Sequence, residues 1–152
     1  MSPPSVIAAL ECQIGNSSVA FATDELAQLI EYEVASPAPL ASEWLAGLGI
    51  HAGRALLSIS LRPSSCRRLP RRRTTQGLCL KSMEGEAFGF AVEVTSARGL
   101  VEVVSTAPIR LVSGAHLPPW VKEATTLDGR RIGWVEVRAM INDLTGASHA
   151  RP

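Results

Sequence analysis

The residues that could do chemistry are few and scattered. Histidines stand at positions 51, 116 and 149 of the 152-residue chain, far apart from one another. A general base needs a group that orients it and a nucleophile within reach. His51 lies in an apolar stretch with no acid beside it, so a structural or merely exposed ring is favoured over a base. The cysteines, Cys12, Cys66 and Cys79, form no C-x-x-C pair and cannot all pair with each other, which argues against a disulfide framework or a zinc site. Cys79, between Leu78 and Leu80, has the spacing of a core thiol. Cys66 lies among arginines that would lower its pKa, but no resolving cysteine is near, and a bystander thiol is favoured. There is no dinucleotide fingerprint, P-loop, nucleophile elbow or H-E-x-x-H, and no motif pairs two acids for acid–base work. The expectation is a protein that is not an enzyme and holds neither cofactor nor metal.

The sharpest local feature is electrostatic. Residues 62–73 read RPSSCRRLPRRR, six arginines and no acid. The preceding 61 residues carry one arginine and six acids, and residues 74–152 carry eight bases and eight acids. The net charge of +1 therefore hides an acidic half, a basic joint and a balanced half. Arg67, Arg68, Arg71, Arg72 and Arg73 are the candidate electrostatic contacts. Six guanidiniums could neutralise several phosphates, so a nucleic-acid-binding module is one reading. Nothing else in the chain is net basic, and aromatics are only 5%, a poor supply of stacking surface. The favoured reading is a solvated loop, or one that docks on acidic protein surface.

The elements that must carry these residues are mostly short strands. Val6 to Ile14 is half alternating, Gly15-Asn16-Ser17-Ser18 is turn chemistry, and Val19-Ala20-Phe21 reads as the return strand of a hairpin. Thr23-Asp24-Glu25 has the form of a helix start, with Leu26, Leu29 and Ile30 as the apolar face of a short helix. Alternation returns over Ile30 to Val34. Residues 47–61 predict a second hairpin turning at Gly53-Arg54, with Leu57, Ile59 and Leu61 on one face and Ser58 and Ser60 on the other. Beyond the basic joint, strands are expected over 78–83, 87–94 and 100–104, with a turn at Glu84-Gly85-Glu86. A hairpin centred on Asp128-Gly129 and a closing helix over 138–144 follow. Turns about every ten residues and few helices suggest small barrels or a sandwich. Each half is too small for a sizeable core alone, so two barrels packed on a shared apolar seam are expected. The boundaries predicted are 6–61, an arginine-rich joint at 62–75, and 76–144, with flexible ends at 1–5 and 145–152. No apolar run approaches the roughly 20 residues needed to span a bilayer, and no signal sequence is visible, which implies a cytoplasmic protein without membrane insertion.

Several segments, taken in order, resemble the CheW-like family of chemotaxis coupling proteins. Gly47 to Leu61 is similar to the family's signature stretch, with Gly47, Gly53 and Leu61 at the expected spacing. The opening hairpin around Gly15, the strand Phe88-Gly89-Phe90-Ala91-Val92-Glu93-Val94, and the run from Leu127-Asp128-Gly129-Arg130 to Val137 are also similar. The resemblance covers about residues 6–144 and implies a mainly β fold of two SH3-like five-stranded barrels around a shared core. It implies a non-catalytic adaptor that bridges the cytoplasmic tip of a chemoreceptor to a CheA-type histidine kinase, the receptor's helices entering a groove between barrels. Leu26, Leu29, Gly47, Gly53, Val92 and Val94 are the residues it suggests for that groove, with core packing as the competing role for each. The chain also departs from the family. Where the family has Leu-Arg-Gly, this chain has His51-Ala52-Gly53, and the following Pro and Asp are Leu57 and Ser60. The family acid two positions beyond Leu26 is Gln28. An arginine offers five donors in a rigid fork and alanine none. The divergence resembles FrzB-type members, and implies receptor binding with the kinase-binding arm weakened or lost.

Overall fold

A computed structural model describes residues 6–35, 44–61, 72–81, 89–108 and 118–145. The described chain is mostly strand. In order, it forms β1 (Ile7–Ile14), β2 (Ser17–Ala22), a 3-10 turn (Thr23–Glu25), β3 (Leu26–Ala35), β4 (Leu45–His51), β5 (Arg54–Ile59) and β6 (Arg72–Leu80). Then come β7 (Gly89–Glu93), β8 (Ser96–Ala107), β9 (Val121–Thr126), β10 (Arg131–Val135) and α1 (Val137–Leu144). The strands close into two five-stranded barrels, ordered β1-β2-β10-β9-β8 and β3-β4-β5-β7-β6. Closure gives every strand a neighbour on each side for at least part of its length. In each barrel one pair is parallel, β2 with β10 and β5 with β7.

The two compact units do not follow the two halves of the sequence. One unit holds residues 1–24 and 96–152, and the other is the continuous stretch 25–95. The boundary expected at 62–75 falls inside the second unit, because Arg72 to Gln76 form the start of β6 and pair with β3 from Ala35↔Arg72 to Glu31↔Gln76. The expected turn at Glu84-Gly85-Glu86 lies outside the described residues.

In the first unit, Ala9, Ala20, Val103, Ala124, Ile132 and Trp134 form the barrel's core, with Ala22 and Val101 packed against it. Small residues on β1, β2 and β9 leave the volume that the Trp134 indole fills. The helix α1 buries Val137, Met140 and Ile141, the i, i+3, i+4 positions of one face. Trp120 Nε1 donates to Asp143 Oδ2 on that helix at 3.2 Å. The helix ends where Thr145 N–H and Oγ1 both donate to the Ile141 carbonyl, at 2.9 and 2.8 Å.

The second unit corrects the short helix expected after Thr23. Only residues 23–25 turn, and Leu26, Leu29 and Ile30 belong to β3. A ten-residue strand that pairs with β6 along its whole length, from Leu26↔Leu80 to Ala35↔Arg72, satisfies the backbone where a short isolated helix would be marginal. Ile30, Tyr32 and Val34 point inward with Leu56 and Ala91, and Cys79 packs against them.

Candidate partner-binding surface

Tyr32 sets the phase of the strands around it. Its ring lies between two glycines on neighbouring strands: a Cβ on Gly49 of β4 would come within 2.9 Å of Tyr32 Cδ2, and one on Gly77 of β6 within 2.8 Å of Cε1. No larger residue fits at either place without displacing the ring. Because Gly49 must face inward, its neighbours Leu48 and Ile50 face outward and are 48% and 70% exposed. The same rule acts on β5. Leu57 and Ile59 do share a face, but the barrel interior receives Leu56 and Ser58, both buried.

Ser58 is inside because it completes a chain of hydrogen bonds. Ser58 Oγ donates to Glu93 Oε2 at 2.6 Å, so the Tyr32 hydroxyl donates to Ser58 Oγ at 2.7 Å. Arg73 Nη2 donates to the same Glu93 oxygen at 2.6 Å, closing an ion pair whose side chains are 12% and 13% exposed. Burial, opposed by the bond to Ser58, pushes the Tyr32 hydroxyl well above its ordinary range. Arg73, expected as an electrostatic contact for a partner, is instead consumed by Glu93. Arg67, Arg68 and Arg71 lie outside the described residues, as do Cys66, His116 and His149. Arg72 lies at the start of β6.

The outward side of this barrel carries the surface. On β3, β4 and β5 the register sets Ala35 beside Leu48 and Leu48 beside Leu57, and in the next row Glu33 beside Ile50 and Ile50 beside Ala55. Leu29, 42% exposed, lies further along β3. At the tip of the β4–β5 hairpin, Ala52 and Gly53 both have positive φ, 52° and 75°, the conformation of a two-residue type I′ turn. The turn thus falls at Ala52-Gly53, one position before the Gly53-Arg54 step expected. Gln28 Nε2 donates to His51 Nε2 at 3.3 Å, so two of the positions where the chain departs from the family pattern meet. His51 is partly exposed and bonded to an amide, an arrangement that supplies no general base with an orienting acid.

The six residues suggested for a receptor groove divide by exposure. Leu29 and Gly53 are exposed and Leu26 is half-buried at the start of β3. Gly47 is buried at an irregularity in the β4–β5 ladder. Val92 and Val94 are 0% and 6% exposed and have no surface to offer a partner. Sequence reasoning missed Leu48 and Ile50, since bulky apolar residues flanking glycine are normally assigned to the core. The signal that could have found them is the pairing of one interior tyrosine with glycines on both adjacent strands.

Among the described residues no group of three or more His, Cys, Asp and Glu comes together, and no helix is long and apolar enough to cross a membrane. Cys12 is buried, and desolvation pushes its thiol up to about 11. Cys79 is raised from its ordinary value by the same cause.

The described residues thus form two five-stranded barrels, one of which exposes Leu29, Leu48 and Ile50. The chain belongs to the CheW-like domain family, whose family model matches residues 8–145. Its structure is similar to that of the scaffolding protein TtCheW from Thermoanaerobacter tengcongensis, with a TM-score of 0.61 and 11% sequence identity over 88% of this chain and 90% of that one. At that identity the likeness is one of fold. Among curated proteins no relative was found.

Proposed function

We propose that this chain is a non-catalytic cytoplasmic adaptor that binds the cytoplasmic tip of a chemoreceptor and belongs to a pathway with a CheA-type histidine kinase, which it holds weakly. The observation that carries this reading is the family match over almost the whole described chain. The receptor tip is a helix pair, and an apolar surface receives such helices through spaced anchors rather than through backbone pairing. Leu29 and the Gly53 turn are the receptor contacts retained here, with Leu26 at their margin. Leu48 and Ile50 extend the apolar surface on the same barrel. The weakened kinase arm rests on Ala52, Leu57 and Ser60, which replace three residues of the family pattern, among them the only arginine of the turn.

Separate capture of a receptor cytoplasmic domain and a kinase regulatory domain tests both halves. Receptor capture at micromolar protein with faint kinase capture is the expected result. Strong, equal capture of the kinase overturns the weakened arm, and absence of receptor capture overturns the adaptor reading.

A further inference from the structure

A second surface lies on the other barrel, where β8 outruns β9. Along residues 96–102, β8 pairs with β1, from Gln13↔Ser96 to Ala8↔Glu102. β9 joins it only from Val103 to Ala107. Among the described residues no strand pairs with the other edge of residues 96–101. The β9–β10 turn marks the end of the covered stretch, where Leu127 N–H donates to the Glu102 carbonyl at 2.8 Å. Glu102 therefore turns its carbonyl away from β1. By the alternation of a ladder, Leu100 turns its N–H and C=O the same way, toward an edge on which no described strand lies.

Beside this edge is a notch of ≈ 570 Å³ lined by Leu100, Val101, Glu102, Leu127, Asp128 and Arg130. Leu100 is 80% exposed and Leu127 60%, the two walls of an apolar seat. The charge around it is negative. Arg130 spends Nη1 and Nη2 on the two oxygens of Glu11, at 3.1 and 3.0 Å, and Nε on Asp128 at 3.3 Å. The notch is thus lined by two carboxylates, Glu102 and Asp128, and by one guanidinium that Glu11 and Asp128 already engage. Arg98, further along β8, is turned to Gln13 Oε1 at 2.6 Å.

We propose that the β8 edge and its notch take up an extended segment of a partner protein in which apolar side chains alternate with lysine or arginine. The segment's backbone pairs with Leu100. One apolar side chain seats between Leu100 and Leu127, and a cation lies against Glu102 and Asp128. An extended occupant fits better than a helix, because a helix satisfies its own backbone and would leave the Leu100 groups unpaired. The surface is distinct from the Leu29, Leu48 and Ile50 face, so it would serve a partner other than the receptor.

The probe is the synthetic peptide acetyl-Lys-Leu-Lys-Leu-Lys-amide titrated into the full chain and followed by backbone amide NMR, with acetyl-Glu-Leu-Glu-Leu-Glu-amide as its counterpart. The basic peptide is expected to shift the amides of residues 99–102 and 127–130 and to slow exchange of the Leu100 amide, and the acidic peptide to do neither. Leu100→Ser and Glu102→Lys, both at exposed side chains, should each keep the native spectrum and weaken the basic peptide about tenfold. Shifts centred elsewhere, no shifts at millimolar peptide, equal binding of the acidic peptide, or unchanged affinity in both variants would overturn the proposal.

Discussion

A buried hydroxyl decides more about this protein than any of its arginines. Ser58 accepts from Tyr32 and donates to Glu93, so Ser58→Ala strands a phenol and shortens the supply of donors to a carboxylate in the barrel wall. The expected cost is about 1–3 kcal/mol of stability, read by denaturant unfolding, with Tyr32→Phe costing less because Ser58 keeps its bond to Glu93. Glu11, 6% exposed, offers a second residue-scale test. Hydrogen bonds and charge from Arg130 outweigh burial and hold its carboxyl below the ordinary 4.5. A depressed folded value means the stabilisation is present above the unfolded pKa and is lost as pH falls through the folded one. Wild type should therefore exceed Glu11→Gln in thermal midpoint at neutral pH, with the gap closing as pH drops well below 4.5. A gap that stays constant with pH would remove the ion pair from the account.

At the scale of the element, the β4–β5 hairpin carries a strained backbone at its tip and the departures from the family pattern on which the proposed partner choice rests. Ala52 holds φ 52°, which disfavours any residue with a Cβ. Ala52→Gly should stabilise the chain by about 1 kcal/mol in thermal or chemical unfolding. Ala52→Arg meets the same backbone cost as alanine and restores the family's fork of donors, and it is expected to raise capture of a kinase regulatory domain while leaving receptor capture unchanged. On β3, Leu29→Asp changes an exposed side chain, so the fold should hold while receptor capture falls at least about tenfold. The strand itself was half legible. The alternation of Ile30, Tyr32 and Val34 was plain, but Leu26 and Leu29 fit a helical face equally well. Only their pairing with β6 settled the matter, and that pairing lies about fifty residues away in sequence.

For the whole molecule, the interleaving of the first unit matters most. Its barrel draws β1 and β2 from one end of the chain and β8 to β10 from the other. Deleting residues 1–22 removes two of its five strands, and hydrogen exchange should then report loss of protection in β8 to β10, with β3 to β7 retaining theirs. Equal loss in both sets would show that the continuous unit does not hold its own barrel. This organisation was not legible, because hairpin signals report neighbours in sequence, whereas β2 with β10 and β5 with β7 pair in parallel across long separations.

Taken by itself, the sequence determined the strand-rich class, the hairpins at Gly15, Gly53 and Gly129, the closing helix, and the family. These follow from period-two alternation, turn residues and local capping, all of which act within a few residues. Tertiary structure alone decided which strands share a barrel, that Arg73 pairs with Glu93, that Val92 is buried, and that Leu48 and Ile50 face outward. Those outcomes depend on what lies across the ladder. The clearest of them is the Tyr32 ring, which fills the space left by two glycines and so turns their neighbours toward solvent.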